Sequence, residues 1–331
     1  MAVIEVKNLT KFFGKTKAVD DISFKVEKGE IFGFLGPNGA GKTTTIRCLL
    51  DFLKPQKGEI KIFGLDHHRS SALVKKKIGY LPGAVRLYDS WTGKDHLEFV
   101  ENLRDRKSVG RKLATMLDLN LNLKTRTLSS GNRQKLGLVL ALSFQPELII
   151  MDEPTLGLDP LLQNACYELL EEFQKRGTTI FMSSHNLTEV DRLCSRVGII
   201  KDGKLAGVET IANLKAKKVH LVKAAFIDSF SKEDFLSENV EIKNQTADSL
   251  ILAVRGDLNP LIKKLGNFNL RSLEINPASL EEIFLEFYEA PQRGAEVHRS
   301  VSDGAGMSSQ SGIPKAEADG DQDLKEIPRL E

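Results

Sequence analysis

The sequence predicts an α/β domain built around a phosphate-binding loop, with a helical insertion, followed by a small α+β domain and a disordered tail. Three observations carry this. A short apolar run, Ile31–Leu35, is bounded by Gly29 and Gly36 and reads as a buried strand. Gly36-Pro37-Asn38-Gly39-Ala40-Gly41-Lys42-Thr43 follows it and fits G-x-x-x-x-G-K-[ST]. Thr44–Leu53 then reads as a helix. Later in the chain, Leu148–Met151 is a second buried-type strand, and it ends in Asp152-Glu153-Pro154.

The chemistry of the first motif dictates its residues. Glycines let backbone N–H groups close around a polyphosphate, because a Cβ would block the approach. The helix N-terminus behind them adds a dipole that favours anions. Lys42 can reach the β- and γ-phosphates, and the Thr43 hydroxyl can serve Mg²⁺. Thr44 sits in the same first turn.

The elements before the loop are Val3–Val6 and Ile22–Val26, read as strands. Leu9–Gly14 lies between them. Phe13 in that stretch offers a flat ring that can stack on an adenine, although general burial preference favours a core position. Downstream, Gly58–Phe63 and Lys77–Leu81 alternate as strands. The pattern of Lys77–Leu81 resumes at Leu148–Met151, so residues 84–145 form a mainly helical insertion. Within it, Asp95–Asp105 and Lys112–Leu119 have amphipathic helical spacing. Ser129 and Gly131, in Leu128-Ser-Ser-Gly131, precede a helix over Asn132–Phe144. Its first N–H groups are either a second anion site or an ordinary helix start.

A carboxylate at the C-terminal end of a strand in an open α/β sheet lies on the ligand-binding edge. Asp152 there can hold Mg²⁺, and Glu153 can polarise a water. Leu158-Asp159-Pro160 is a tight loop before a helix over Leu161–Lys175. Thr178–Met182 is a further strand, and it runs into Ser183-Ser184-His185, which puts His185 on the same edge. Val197–Lys201 and Lys204–Val208 form a hairpin around Asp202-Gly203, a type I′ signal.

Residues 216–290 change register. The spacing predicts strand 217–225, helix 231–237, strands 239–244 and 249–255, helix 257–265, strand 268–275 and helix 279–288. That order suits a ferredoxin-like α+β domain. Residues 291–331, poor in apolar side chains, are expected to be disordered.

Composition bounds the function. The chain has 331 residues and a net charge of +2, which offers no strong field for nucleic acid. The longest nearly apolar run, Leu136–Phe144, is far below the ~18 residues of a membrane span. The first five residues lack the basic and apolar regions of a signal peptide. Cys48, Cys166 and Cys194 have no metal spacing and are expected to be buried, reduced thiols.

Taken together, the motifs resemble the nucleotide-binding subunit of an ATP-binding cassette (ABC) transporter across about residues 2–210, within a cassette domain expected over 1–215. Gly36–Thr43 looks like its Walker A motif and Leu148–Glu153 like Walker B with the catalytic glutamate. Leu128–Asn132 looks like the signature motif, Leu158-Asp159 like the D-loop, and His185 like the switch histidine. Phe13 falls where the family stacks adenine. The stretch to Pro277–Phe284 resembles the extension of the drug and antibiotic exporter branch. Two departures stand out. Ser130 and Asn132 replace a glycine and a glutamine of the signature, and Gly83 stands where the family has Gln or Glu.

The resemblance implies an ATPase that powers export through a separate integral membrane permease. ATP and Mg²⁺ would bind at Lys42, Thr43 and Asp152. Glu153 would be the base, with His185 on the γ-phosphate. Ser129, Gly131 and Asp159 would act across an interface with a second copy or a paralogous cassette. The chain would then lie in the cytoplasm, peripheral on the inner face of the plasma membrane. The rival is a soluble, non-transport ABC ATPase acting on a macromolecular partner. Such proteins are expected to carry two cassettes or a long coiled-coil insertion, neither of which occurs here.

Overall fold

The computed structural model describes residues 1–104, 108–216 and 219–277. The chain opens with β1 (Ala2–Phe13) and β2 (Thr16–Glu27), an antiparallel pair whose register shifts between Val6 and Leu9 and again beyond it. Then come β3 (Ile31–Leu35), α1 (Lys42–Leu49), β4 (Lys57–Ile62), β5 (Leu65–Asp66), α2 (Ser71–Lys76) and β6 (Ile78–Leu81). The insertion follows as α3 (Gly93–Arg104), α4 (Gly110–Met116), a 3₁₀ turn at Thr125–Thr127 and α5 (Ser130–Leu142). The chain returns through β7 (Leu148–Asp152), α6 (Pro160–Lys175), β8 (Thr179–Ser184), α7 (Leu187–Leu193), β9 (Arg196–Lys201), β10 (Lys204–Thr210) and α8 (Ile211–Ala216).

These strands make two sheets. One is antiparallel, in the order β2-β1-β4-β5. The other has six strands in the order β10-β9-β3-β8-β7-β6. Its five strands from β9 to β6 are parallel, and β10 closes one edge antiparallel. Ile78 pairs with Leu148 and Leu81 with Met151, so β6 and β7 are direct neighbours despite the insertion between them.

Every residue of β3 is buried, because both faces of the sheet are covered. With side chains alternating across the strand, Phe32 and Phe34 face the antiparallel sheet and Ile31 and Leu35 face the helices. On the first side, Phe24, Phe32, Phe34 and Phe181 pack with ring centroids 5.4–5.9 Å apart. On the other, α7 comes so close that a Cβ on Gly33 would lie 2.9 Å from Cys194 Sγ. The three cysteines are free and buried.

The hairpin tip at Asp202-Gly203 has φ of 49° and 77°, the type I′ geometry. Gly203 N–H donates to Ala40 O (3.1 Å), and Gly203 O accepts from Asp20 N–H (2.7 Å). The tip therefore props the phosphate loop from behind.

The third sheet, β11 (Val219–Phe226), β12 (Val240–Gln245), β13 (Ser249–Arg255) and β14 (Leu270–Pro277), has the order β12-β13-β11-β14 with antiparallel neighbours throughout. That is the ferredoxin-like order, with α9 (Asn259–Leu265) as one crossover. The other crossover corrects the expectation of a helix over 231–237. Only a 3₁₀ turn, Lys232–Phe235, forms, since so short a segment does not repay helix nucleation. Phe226, Phe235, Leu250, Leu252 and Leu261 fill the core beneath. The helix expected over 279–288 and the disordered tail lie outside the described residues.

Candidate nucleotide-binding site

The phosphate loop has the shape its glycines allow. A Cβ on Gly36 would lie 2.2 Å from Ile200 O, and one on Gly41 would lie 2.4 Å from Ala18 O. Gly41 also has φ of 107° as the residue that caps α1, a conformation strained for any other residue. Gly36 and Ala40 are buried, while Pro37, Asn38 and Gly39 are exposed at the tip. Thr43 and Thr44 are half-buried in the first turn of α1.

Lys42 is 6% exposed. Its ammonium donates to Gly36 O (2.6 Å) and Pro37 O (3.1 Å) and lies 3.1 Å from Glu153 Oε1. The other Glu153 oxygen accepts from His185 Nδ1 at 2.7 Å. The carboxylate at the end of β7 is thus clasped between a lysine and a histidine. That bond directs Nδ1 at the carboxylate and leaves Nε2 as the ring nitrogen for a ligand. Glu153 reaches this position with φ of 51°, uncommon for a non-glycine residue and a kind of strain that clusters at functional sites. Its N–H donates to Ser183 O (3.2 Å) and Oγ (3.1 Å), which holds the turn.

Asp152 is buried, and its Oδ1 accepts from Ser183 Oγ at 2.6 Å. A Cβ on Gly83 would stand 3.2 Å from Asp152 O and 3.7 Å from Asp152 Oδ2. Gly83 is therefore beside the Asp152 carboxylate, where a longer side chain would meet it. Among the described residues no group of three or more His, Cys, Asp or Glu side chains could hold a metal by itself. Mg²⁺ needs no such cluster, since it binds through one or two protein oxygens plus substrate phosphates and water. Thr43 and Asp152 are the residues that would hold it, and a Lewis acid at the phosphates is the chemistry it would supply.

The remaining predicted residues stand at helix starts. Ser129 caps α5, its Oγ accepting from Asn132 N–H at 3.2 Å. Around Gly131 there is space; only Leu162 Cδ2 would lie within 4 Å of a Cβ, at 3.7 Å. Asp159 caps α6 through Leu162 N–H at 2.9 Å. Phe13, at the end of β1, is 49% exposed with Lys11 Nζ 5.4 Å from its ring, so it is not a core aromatic.

Two polar side chains in this region went unread in the sequence. Gln134 is buried in α5 and donates from Nε2 to Pro154 O at 2.9 Å, joining the Ser129–Gly131 helix to the strand end that carries Glu153. Glu189 is buried in α7 and accepts from Ser184 Oγ (2.6 Å) and Thr155 Oγ1 (2.8 Å). The signal that could have found it is Asn186-x-x-Glu189, a helix-start pattern directly after His185. Asn186 does cap α7, accepting from Thr188 and Glu189 N–H.

A strand, a glycine loop with a buried lysine, and an Asp-Glu pair at the end of a parallel strand two places along the same sheet define a P-loop ATPase cassette. The ABC transporter family model matches residues 19–156, and the chain belongs to the ABC transporter ATP-binding proteins. The bacitracin transport ATP-binding protein BcrA of Bacillus licheniformis is 33% identical over 301 residues, covering 86% of this chain and 96% of that protein. A solved ATP-binding subunit of an ABC transporter is 29% identical with a TM-score of 0.60, covering 65% of this chain and 92% of the other. A second solved cassette, dimeric and in a post-hydrolysis state with ADP and phosphate bound, has the same fold with a TM-score of 0.59, covering 63% of this chain and 98% of that one at 23% identity.

Proposed function

We propose that this ATPase cassette powers export through a separate membrane permease, as the antibiotic-transport relative suggests. The single observation that supports its chemistry best is Glu153 held between Lys42 and His185, at 3.1 and 2.7 Å. In this reading Lys42 and the loop Gly36–Thr44 bind the phosphates of ATP, and Phe13 stacks on the adenine. Glu153 takes the proton of the attacking water, and His185 presents Nε2 to the γ-phosphate. Thr43 and Asp152 serve Mg²⁺.

Ser129, Gly131 and Asp159 act across a head-to-tail dimer with a second copy or a paralogous cassette, because one P-loop alone leaves the transferring phosphoryl group clamped from one side. The dimeric solved cassette supports this. None of the described helices is long and apolar enough to cross a membrane. In this reading the chain docks on its permease from the cytoplasmic face, with no nucleic acid as partner. We divide it into a cassette over 1–215, with its insertion at 84–145, an accessory domain over 216–290 and a tail over 291–331.

The test is co-purification of the tagged chain with the membrane protein encoded beside it, followed by ATPase assay in proteoliposomes. A stable complex whose ATP turnover drives efflux is expected. A chain that hydrolyses ATP but binds only ribosomes or another soluble assembly would overturn the transport reading.

A further inference from the structure

Glu189 lies outside the sphere of groups assigned to ATP, yet two parts of the site meet on it. It is 2% exposed, and its two bonding partners, Ser184 and Thr155, are 0% and 6% exposed. Ser184 Oγ accepts from Asn186 N–H (2.9 Å) and donates to Glu189 Oε2 at 2.6 Å, much the shorter of its two acceptors, Asn186 O being at 3.3 Å. Thr155 Oγ1 donates to Oε1 (2.8 Å). Each carboxylate oxygen thus receives one hydroxyl from a different loop.

Those loops are the ones that matter. Ser184 precedes His185 in the chain, and its carbonyl also accepts from Gly36 N–H at 3.2 Å, at the mouth of the phosphate loop. Thr155 follows Glu153-Pro154, and its carbonyl accepts from Leu158 N–H at 3.1 Å, which shapes the turn leading to Asp159. A carboxylate buried here is costly unless its oxygens are paired. Burial pushes the Glu189 carboxyl above its ordinary range, offset in part by the Ser184 and Thr155 bonds. A residue needed only for packing would be apolar at this depth.

We propose that Glu189 is a positioning residue of the ATPase: its carboxylate locks the His185 loop to the Thr155–Asp159 segment, so that His185 and the residue reaching the second cassette move as one. The proposal rests on the reading of His185 given above. It makes no contact between Glu189 and nucleotide.

The test is steady-state ATPase kinetics on the full chain with Glu189→Gln, His185→Ala and the pair combined. Glu189→Gln keeps size and removes one acceptor oxygen. It is expected to lower kcat roughly tenfold or more with little change in the KM for ATP, since misplacing a reacting group by about 1 Å costs that much or more. The double variant is expected to be no slower than His185→Ala alone, the non-additivity of residues acting through one another. A wild-type kcat for Glu189→Gln, or two losses that simply multiply, overturns the proposal. Should Glu189→Gln fail to fold, Thr155→Val removes one of the two hydroxyl bonds and is held to the same two outcomes. If His185→Ala leaves hydrolysis unchanged, the reading of His185 is what fails, and the positioning role falls with it.

Discussion

Lys42 Nζ and Glu153 Oε1 lie 3.1 Å apart in a site where the lysine is 6% exposed and the glutamate side chain 15%. The two motifs that bind and cleave ATP therefore neutralise each other across the floor of one cleft. On the proposed reading, a polyphosphate entering the loop competes for the Lys42 ammonium and frees the carboxylate for water.

Glu153→Gln tests this relation directly. It is expected to leave ATP binding intact and lower turnover by about 10²-fold or more, the usual weight of a general base. Size-exclusion chromatography with ATP should then show a trapped dimer. Turnover near the wild-type rate would take the role of base away from Glu153.

Gly83 stands beside Asp152 with no side chain to offer; its backbone φ is not in the left-handed region, and a Cβ there makes a tight 3.2 Å approach to Asp152 O that a shift of a few tenths of an ångström relieves. We propose that a water fills this position in the native chain, and expect Gly83→Gln to fold and to raise Mg²⁺ affinity or leave it unchanged. Asp89 is the rival ligand. Its neighbourhood is tied to the insertion: Asp89 O accepts from Arg126 N–H, and Tyr88 O accepts from Thr125 Oγ1 at 2.7 Å. Asp89→Ala should therefore hold ATPase within about twofold of wild type, the scale of a surface change. Loss of Mg²⁺-dependent hydrolysis in that variant, with ATP still bound, would identify Asp89 as the ligand.

Gln134→Leu deletes the donor to Pro154 O and leaves a buried carbonyl unpaired. The cost should be about 1–3 kcal/mol, read as a melting temperature several degrees lower. An unchanged melting curve would mean that the bond contributes nothing net to folding.

The thiols supply a pH dependence. Burial pushes Cys48 up to about 11 and Cys166 up to about 12, against 9.0 for an exposed thiol. The folded state thus keeps protons that the unfolded state releases, and stability falls as pH rises above 9. For Cys166 the loss should approach about 1.4 kcal/mol per pH unit between 9 and 12. Denaturant midpoints at pH 8 and 10.5 should show a shallower decline in Cys166→Ala than in the parent. At pH 8 a thiol reagent should react with no cysteine in the native protein and with all three in denaturant.

Motifs that are contiguous, such as Gly36–Thr43 and Leu148–Glu153, were legible because local sequence alone carries their geometry. The helical insertion between β6 and β7 was legible too, since both strands are apolar runs and the stretch between them is amphipathic; that the two strands are direct neighbours was not read. What stayed hidden is short or depends on partners far away. The six-residue α2 and seven-residue α7 span under two turns each and show too little periodicity to read. β1 and β2 run well beyond the alternating cores that marked them, because antiparallel pairing extends through register shifts that sequence does not display. The positions of Gln134 and Glu189 are fixed by bonds to Pro154, Thr155 and Ser184, and no pattern along the chain announces such a meeting.

The prop behind the phosphate loop bears on how the protein is made. β3 takes its two neighbours from β8 and β9, and Ala40 takes its brace from Gly203, all synthesised about 145–165 residues after the loop itself. At ribosomal speeds the wait is on the order of ten seconds. Through that interval the nascent chain holds a complete glycine motif on an unpaired apolar strand. Competence for ATP is thus acquired late, and a chain that stalls before residue 203 lacks the brace behind its phosphate loop.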